Sequence, residues 1–219
     1  MTKKYKPIQI LQCPFFCKDT KKLKTKNLFF LHFFFVLLQI NIFKIMTIEE
    51  VKKNIRDVYD FPIEGIVFKD LTTAFINPNC MKFFEDKMYE LYKNKGITKV
   101  IGIESRGFIM APILGNKLGV GFVPIRKKGK LPAETIEVSY GKEYGTDIIQ
   151  LHKDALNADD IVLIHDDLLA TGGTMKAACE LVKKFNVKKI YVNFLVELDF
   201  LEGAKIFSED IDIKSLIHF

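Results

Sequence analysis

The sequence has few cysteines, no apolar run long enough for a confident membrane span, and neither of the two common nucleotide-binding glycine motifs. Of its four cysteines only Cys13 and Cys17 are close together, and no second pair stands at metal-ligand spacing. This usage favours free thiols in a reducing cytoplasm. No G-x-x-x-x-G-K-[ST] segment occurs, and no G-x-G-x-x-G follows a strand pattern. P-loop and dinucleotide-binding sites are therefore disfavoured.

Positive charge is concentrated at the start of the chain. Residues 1–45 hold nine lysines and one acid, so residues 46–219 carry 24 Lys+Arg against 26 Asp+Glu, a net charge of −2 instead of +6. The basic pI therefore belongs to the first segment and gives no support for nucleic-acid binding by the rest.

Residues 1–45 are predicted to lie outside the folded domain. Their apolar core, Leu28 to Leu38, is interrupted by His32 and is too short for a membrane span, which needs about 20 apolar residues. Three interpretations stay open: upstream DNA read as protein because of a mis-annotated start, an apolar membrane or export leader, or a native extension. We favour the first, because Met46 opens an ordinary amphipathic pattern. A membrane association is expected only if this segment is real.

From Met46 the chain alternates between helical and strand-like patterns. Helices are predicted within 47–61, 81–96, 107–119 and 172–185, and strands at 100–103, 120–125, 148–151, 161–164 and 190–195. Most of the strand patterns are apolar on both faces, as in strands covered by helices on two sides. Such alternation predicts one α/β domain, residues 46–219, with a mainly parallel twisted sheet flanked by helices.

One loop of this predicted sheet has the chemistry of a sugar-phosphate site. Thr171-Gly172-Gly173-Thr174 lies between a buried strand and a helix start, where backbone N–H groups and the helix N-terminus can hold a phosphate. Asp166 and Asp167 would repel that phosphate, so we expect them to face hydroxyl groups or a cation. A ribose 5-phosphate offers both partners. The plainer alternative is that the two aspartates only end a strand and that Thr171 to Thr174 only cap a helix.

The chain resembles the type I phosphoribosyltransferases, and most closely the adenine-using members of that family. "DDLLATGGT" resembles the family's phosphoribosyl-diphosphate signature. "FPIEGIVFKDLT", "IGIESRGFIMAP", "GVGFVPIRKKGKLPAET" and "YGKEYGTDIIQLHKDAL" follow the family's order and spacing, over about residues 46–219. The resemblance implies the type I fold with a small N-terminal hood. It also implies transfer of the 5-phosphoribosyl group to N9 of adenine, giving AMP and diphosphate in purine salvage.

The resemblance assigns the donor-binding residues. Asp166 and Asp167 would hold the ribose hydroxyls, and Ala170, Thr171, Gly172, Gly173 and Thr174 the 5′-phosphate. Ser105 and Arg106 would bind the diphosphate, in a loop where the family often has a strained peptide bond after the acid, here Glu104. Further basic positions near the diphosphate are Arg126, Lys127 and Lys130. Mg²⁺ is the implied cofactor, bound mainly through the donor rather than by protein ligands.

Residues 127–147 hold four loop-forming Gly and Pro residues and no clear apolar period, so they are predicted to form a long flexible lid loop. A lid would keep water from an oxocarbenium-like sugar cation. Within it, Glu143 matches the family's proposed acid/base residue, and with Arg106 it completes the implied catalytic pair. Without the family match, a surface glutamate would be the better interpretation.

The resemblance places the base beside "IVFKD". Phe68 would stack on adenine with Leu168 on the other face, and the backbone of Val67 and Lys69 would read the purine edge. Ordinary core packing is the alternative for Phe68. A homodimer is also implied. Two other functions remain open at this point: an enzyme for another purine such as xanthine, and a ligand-binding regulator on the same fold. His165, where an apolar residue is usual, is predicted to be a satisfied core histidine.

Overall fold

The computed structural model describes residues 46–142 and 145–219, and the predicted extension 1–45 lies outside them. The described helices and strands follow one another along the chain in the order α1 Ile48–Lys52, β1 Arg56–Tyr59, β2 Val67–Asp70, α2 Thr72–Ile76, α3 Pro78–Tyr92, β3 Lys99–Ile103, α4 Gly107–Leu118, β4 Gly121–Lys127, β5 Thr135–Lys142, β6 Gly145–His152, β7 Ile161–Leu169, α5 Gly173–Lys183, β8 Lys189–Glu197 and β9 Asp212–His218. Short 3₁₀ turns, Asp199–Leu201 and Gly203–Ile206, precede β9. In this part of the chain, no helix has the length and apolar character to cross a membrane.

The main sheet has seven strands in the order β5-β6-β4-β3-β7-β8-β9. Strands β4, β3, β7, β8 and β9 run parallel, and β6 and β5 extend the sheet antiparallel at one edge. Neighbouring residues of β7 alternate between two apolar clusters: Leu163 belongs to one, and Val162 and Ile164 to the other. This alternation is what a strand covered on both faces requires. The predicted mainly parallel α/β sheet is confirmed.

Local sequence explains where the longer helices begin and end. Pro78 occupies the first turn of α3, and the Asn77 side chain caps it by accepting the Asn79 N–H at 3.0 Å. Helix α4 ends at Gly119, which has a left-handed φ of 73°. Both helices lie near their predicted positions.

The helix predicted over residues 47–61 is wrong in its second half. Helix α1 stops at Lys52, and residues Arg56–Tyr59 form β1, which pairs antiparallel with β2. Tertiary contacts favour the strand, because Arg56 pairs with Asp70 across the two strands at 2.5 Å. The apolar spacing of Ile55 and Val58 fits either conformation over so few residues. The β1–β2 pair forms the small N-terminal hood implied by the family resemblance.

The predicted long loop 127–147 is also largely regular structure. Strands β5 and β6 form an antiparallel ribbon in which Val138 faces Ile149 and Ile136 faces Leu151. Apolar side chains at positions 136, 138 and 140 pack on the core cluster with a period of two. Glycines at 141 and 145 conceal this period in the sequence. What remains without helix or strand in the described residues is the turn 128–134.

Candidate functional site

A pocket of about 400 Å³ opens at the carboxyl ends of the central strands. It brings together twelve of the predicted site residues from three separate stretches of sequence. They are Val67, Phe68, Lys69, Arg106, Asp166, Asp167, Leu168, Ala170, Thr171, Gly172, Gly173 and Thr174. A ligand site at this edge of a parallel sheet is the usual arrangement.

Helix α5 presents its N-terminal end to this pocket. Gly172 precedes the helix with φ 82° and accepts the Lys176 N–H through its carbonyl at 2.9 Å. The next three N–H groups, those of Gly173, Thr174 and Met175, have no partner within the helix by its geometry. Their dipoles and the helix macrodipole point positive charge at the loop.

Gly172 has no room for a side chain. A Cβ atom there would lie 2.7 Å from the Gly203 carbonyl oxygen and 2.8 Å from Cδ1 of Ile206. A side chain is therefore excluded both by its left-handed backbone and by close packing against the 3₁₀ turn. At Gly173, in contrast, a Cβ would meet no heavy atom within 4 Å.

Asp166 and Asp167 lie within β7, which runs to Leu169, rather than directly after a strand ending at residue 164. The strand is longer than predicted because the parallel pairing with β8 continues past the acids. Asp167 is 2% exposed, and its N–H donates to Asp166 Oδ1 at 2.9 Å. Burial raises the pKa of Asp166 well above its usual range, and repulsion from Asp167 adds to the shift.

Arg106 lies between the acid pair and Phe68. Its Nε lies 3.1 Å from Asp167 Oδ2, and its guanidinium carbon lies 5.4 Å from the centre of the Phe68 ring. Burial raises the pKa of Asp167, and the charge of Arg106 acts in the opposite direction. Among the described residues, Asp167 Oδ2 has no aligned hydrogen-bond donor, so the contact is a charge pair.

Close packing of α4 on β7 places Arg106 beside the acids. Gly107, the residue after Arg106, is buried, and a Cβ there would lie 2.7 Å from the His165 carbonyl oxygen. The helix backbone therefore lies directly against the strand just before Asp166. Any larger residue at position 107 would push the two elements apart.

One side of the pocket is built on β2. The half-buried Phe68 ring packs edge-on against Phe61 at 5.3 Å between ring centres. The Lys69 side chain turns toward Asp57, at 2.7 Å, and its ammonium also lies 4.4 Å from the centre of the Phe219 ring. Lys69 also lines the pocket, and the role predicted for its backbone remains a prediction.

The predicted diphosphate loop gathers basic groups around Glu104. Lys130 Nζ, Arg126 Nε at 3.2 Å and the Lys127 N–H at 3.1 Å all donate to its carboxylate. Burial raises the pKa of Glu104, but these hydrogen bonds and charges outweigh it and lower the pKa to about 2. The Glu104–Ser105 peptide bond is cis.

Some predicted residues lie outside the pocket lining. Ser105, Arg126, Lys127 and Lys130 are next to Arg106 in space or sequence but do not line it, and Lys127 pairs with Asp147 at 3.4 Å. Glu143 falls outside the described residues, so its predicted role remains a prediction.

Six pocket residues were not predicted. They are all apolar: Ile66, Leu169, Met175, Phe194, Leu198 and Leu201. Position in a predicted strand could have indicated Phe194, and position in the first turn of α5 could have indicated Met175. Leu198 and Leu201 carry no such signal, because their turn follows β8 without a sequence pattern of its own.

His165 is buried and only half satisfied, which corrects the prediction of a satisfied core histidine. Its Nδ1 lies 3.0 Å from Asn193 Oδ1, while Asn193 Nδ2 donates to the Lys214 carbonyl at 3.0 Å. Nδ1 therefore carries the proton, and Nε2 has no partner among the described residues. Burial lowers the pKa of His165 to about 4.

Comparisons with known proteins agree with this geometry. The phosphoribosyl transferase domain family matches residues 74–207. An adenine phosphoribosyltransferase from Bacteroides thetaiotaomicron is 61% identical over 173 residues, which cover 79% of this chain and 98% of the relative. The crystal structure of adenine phosphoribosyltransferase from Rhodothermus marinus superposes with a TM-score of 0.74 at 44% identity, over 78% of this chain and 98% of the other. That from Saccharomyces cerevisiae, complexed with an imino-altritol bisphosphate and adenine, has a TM-score of 0.72 at 39% identity, over 77% and 97%.

Proposed function

The chain belongs to the phosphoribosyl transferase family and, within it, to the adenine phosphoribosyltransferases, and from this we propose the reaction that its pocket carries out. It transfers the 5-phosphoribosyl group of phosphoribosyl diphosphate to N9 of adenine, giving AMP and diphosphate. The observation that carries the proposal is that one pocket holds an anion cradle, an acid pair and an aromatic ring. A ribose 5-phosphate and a purine need these three groups together.

The sugar phosphate takes the end of the pocket formed by β7 and α5. The 5′-phosphate accepts hydrogen bonds from the N–H groups of residues 171–174 and from the threonine hydroxyls, where the helix dipole favours a dianion. The ribose hydroxyls donate to Asp166 and Asp167. Both carboxylates, the buried Asp167 and the partly buried Asp166, have raised pKa values and gain from hydroxyl donors. Among the described residues, Asp167 Oδ2 has no aligned donor.

The diphosphate takes the side of Arg106 and Ser105. The side chains of Arg126 and Lys130 contact the neighbouring Glu104 and supply positive potential there, whereas Lys127 contacts Glu104 through its backbone N–H and pairs its ammonium with Asp147. Arg106 can interact with the negative charge of Asp167 and with that of the diphosphate, because it is paired with Asp167 and lines the pocket. Arrival of the diphosphate therefore competes with Asp167 for the guanidinium.

Adenine takes the β2 side. Phe68 offers the face of its ring, with Leu168 opposite, and the backbone of Val67 and Lys69 offers hydrogen bonds to the purine edge. Stacking of a base on an aromatic ring contributes about 1–3 kcal/mol and does not distinguish bases. Selectivity for adenine therefore falls to the backbone groups of β2.

The chemistry needs no protein nucleophile. As the bond from C1′ to the diphosphate oxygen breaks, the N9 bond to C1′ forms on the opposite face, so the anomeric centre is inverted. Arg106 stabilises the charge that develops on the leaving group. Glu143 is the proposed acceptor of the purine proton, by resemblance to the family.

Mg²⁺ is part of the proposal because the pocket suits phosphoribosyl diphosphate with a bound Mg²⁺ ion. The acid pair is chemically suited to a cation or to hydroxyl groups, and Asp167 Oδ2, which has no aligned donor among the described residues, can accept either. When bound, Mg²⁺ neutralises diphosphate charge, and it would be held mainly by oxygens of the donor with Asp166 and Asp167 close by. The acids hold and orient the sugar in either case.

A homodimer in the cytoplasm completes the proposal. Apolar side chains of the hood are exposed, with Tyr59 at 70%, Ile63 at 57% and Phe61 at 51%, and such patches commonly mark contact surfaces. The free, buried cysteines Cys80 and Cys179 suit a reducing compartment. Sedimentation equilibrium of the full chain measures the oligomeric state, and a monomer at micromolar concentration would remove this part of the proposal.

A turnover assay of the full chain tests the function. Phosphoribosyl diphosphate and Mg²⁺ are supplied with adenine, hypoxanthine, guanine or xanthine in turn, and nucleotide formation is followed by chromatography. We expect AMP from adenine, with the other bases reacting at least about 100-fold more slowly. A purine whose hydrogen-bonding edge does not match the backbone of β2 leaves buried polar groups unpaired. Preferential use of xanthine, or binding of the donor without turnover of any base, would contradict the proposal.

A further inference from the structure

Three metal-ligating side chains converge at the end of β8 and β9. Glu197 is the last residue of β8, Asp199 follows two positions later, and His218 is the last residue of β9. One ligand atom from each lies within 4.8 Å of the other two. None of the three lines the pocket described above.

The backbone holds these side chains in place through strand pairing. Glu197 lies opposite His218 in the parallel β8–β9 register. The Phe219 N–H donates to the Glu197 carbonyl at 3.0 Å, and the Asp199 N–H donates to the Phe219 carbonyl at 2.9 Å. Because their backbone positions are fixed by these hydrogen bonds, the three residues lose less entropy when an ion binds than residues on an unpaired segment would.

The charges of the cluster call for a cation. The Glu197 side chain is only 13% exposed, and in the described ranges its one cationic neighbour within 4 Å is His218 Nδ1, at 3.9 Å. That nitrogen lies closer to Asp199 Oδ1, at 2.8 Å. A single imidazolium would have to serve two carboxylates, one of them largely removed from water, and burying an unbalanced carboxylate is costly.

We propose that Glu197, Asp199 and His218 bind a divalent transition-metal ion of the Zn²⁺ or Co²⁺ type. Imidazole nitrogen together with carboxylate oxygen is the donor set that such ions prefer, whereas Mg²⁺ prefers oxygen ligands and retained water. Ligand atoms on one ion at about 2.0–2.2 Å are roughly 3–3.5 Å apart, so the cluster needs to contract only slightly. Water completes the coordination on the exposed side.

The ion would tie three segments together. It would connect the end of β8, the turn after it and the end of β9 at one point. Leu198, which lies between two of the ligands, lines the pocket described above, so the ion would fix the segment that carries it. Because the unfolded chain does not hold these ligands together, ion binding stabilises the fold, and the gain in unfolding free energy grows with the logarithm of ion concentration once that concentration exceeds the Kd.

Calorimetric titration of the untagged, chelator-treated full chain with ZnCl₂ tests the proposal, in a buffer without phosphate or nucleotide. Cys13 and Cys17 could also ligate zinc, so the titration uses a C13S/C17S background. We expect one ion per chain with a Kd on the order of micromolar, and a rise in the thermal midpoint on Zn²⁺ addition. Co²⁺ should give visible absorption bands, and Mg²⁺ at millimolar concentration should not displace it.

Two variants and one control locate the site. His218→Ala and Glu197→Gln should each weaken Zn²⁺ binding at least about tenfold, because each removes one of three ligands. Glu134→Gln, the same change at an 83% exposed carboxylate outside the cluster, should leave binding unchanged. Equal binding by all four proteins, or no saturable binding below about 1 mM, would overturn the proposal. Since the measurement uses neither substrate nor turnover, it stands or falls separately from the proposed reaction.

Discussion

Arg106 lies 3.1 Å from Asp167, so the residue proposed to bind diphosphate is paired with the residue proposed to bind the sugar. The pair is asymmetric, because Asp167 is 2% exposed while the arginine side chain is 35% exposed. The charge of Arg106 therefore offsets much of the unfavourable burial of a carboxylate. When phosphoribosyl diphosphate binds, this contact would be replaced by two others. The ribose hydroxyls would donate hydrogen bonds to Asp167, and the diphosphate oxygens would accept them from Arg106.

Replacement of Asp167 by Asn tests this relationship. The amide preserves volume but removes the charge, so it accepts sugar hydroxyls more weakly and no longer orients Arg106. We expect kcat/KM for phosphoribosyl diphosphate to fall about 100-fold or more, measured by initial rates. The thermal midpoint should change little, because the burial that raises the pKa of Asp167 also makes a neutral group acceptable there. Asp159→Asn, at an exposed acid, is the matched control, and near-normal turnover of the Asp167 variant would refute the sugar assignment.

Gly172 and Gly173 form a matched pair for the phosphate loop. Gly172→Ala places a Cβ at φ 82° and 2.7 Å from the Gly203 carbonyl, so we expect a loss of about 1–3 kcal/mol of unfolding free energy. Movement of the loop should also raise the KM for the ribosyl donor about tenfold or more, because its N–H groups no longer converge. Urea unfolding and donor-dependent rates measure the two effects.

Gly173→Ala gives the comparison for that change. Its Cβ would meet nothing within 4 Å, so the unfolding free energy should remain close to that of the parent chain. If the Gly172 variant kept both its stability and its donor KM, the inferred role of its left-handed backbone would be wrong.

The sequence predicts a feature well when the residues that determine it are neighbours in the chain. The strand–glycine–helix pattern around Gly172 is local, and the structure places its φ and its close packing as such a turn requires. The signal that ends helix α1 is not local, because strand β1 forms by pairing with β2, whose residues are 8 to 14 positions further along the chain. The apolar period at Ile55 and Val58 could not distinguish these two outcomes.

The acid pair illustrates the same limit at the site. Sequence marked Asp166 and Asp167 as functional, but it ended the strand before them, because aspartate is rare inside strands. The pairing with β8 and the close approach of Gly107 keep the strand extended through both acids. Arg106 could be named from its motif, but its contact with Asp167 depends on that packing and has no sequence signal.

Replacement of Phe68 by Ala separates base binding from donor binding. Loss of the stacking surface should raise the KM for adenine about 10- to 100-fold, corresponding to roughly 1–3 kcal/mol. The KM for the ribosyl donor should change much less, although Arg106 lies 5.4 Å from the ring centre. Phe61→Ala is the control, because Phe61 packs edge-on against Phe68 but does not line the pocket. Equal losses for both substrates would indicate a general packing role instead.

His165 should make the stability of the protein depend on pH. Burial lowers its pKa to about 4 in the folded chain, whereas an unfolded histidine titrates near 6.5. Between these values the unfolded state binds a proton that the folded state does not, so the contribution of His165 to stability falls as pH drops from 6.5 to 4. The full difference is roughly 3 kcal/mol. In an NMR titration, the His165 ring signals should stay constant down to about pH 5.

His165→Leu isolates this contribution from those of the acids. Asn193 loses its hydrogen-bond partner in the variant, which costs about 1–3 kcal/mol at every pH. The difference in unfolding free energy between the two proteins should therefore shrink as the pH falls from 7 to 4.5. Only the parent chain loses stability in this range, because its unfolded state binds a proton at His165 that its folded state does not. Urea unfolding at four or five pH values measures it. A constant difference across that range, or a ring that titrates near pH 6.5, would show that His165 accepts a proton in the folded protein through its unpartnered Nε2.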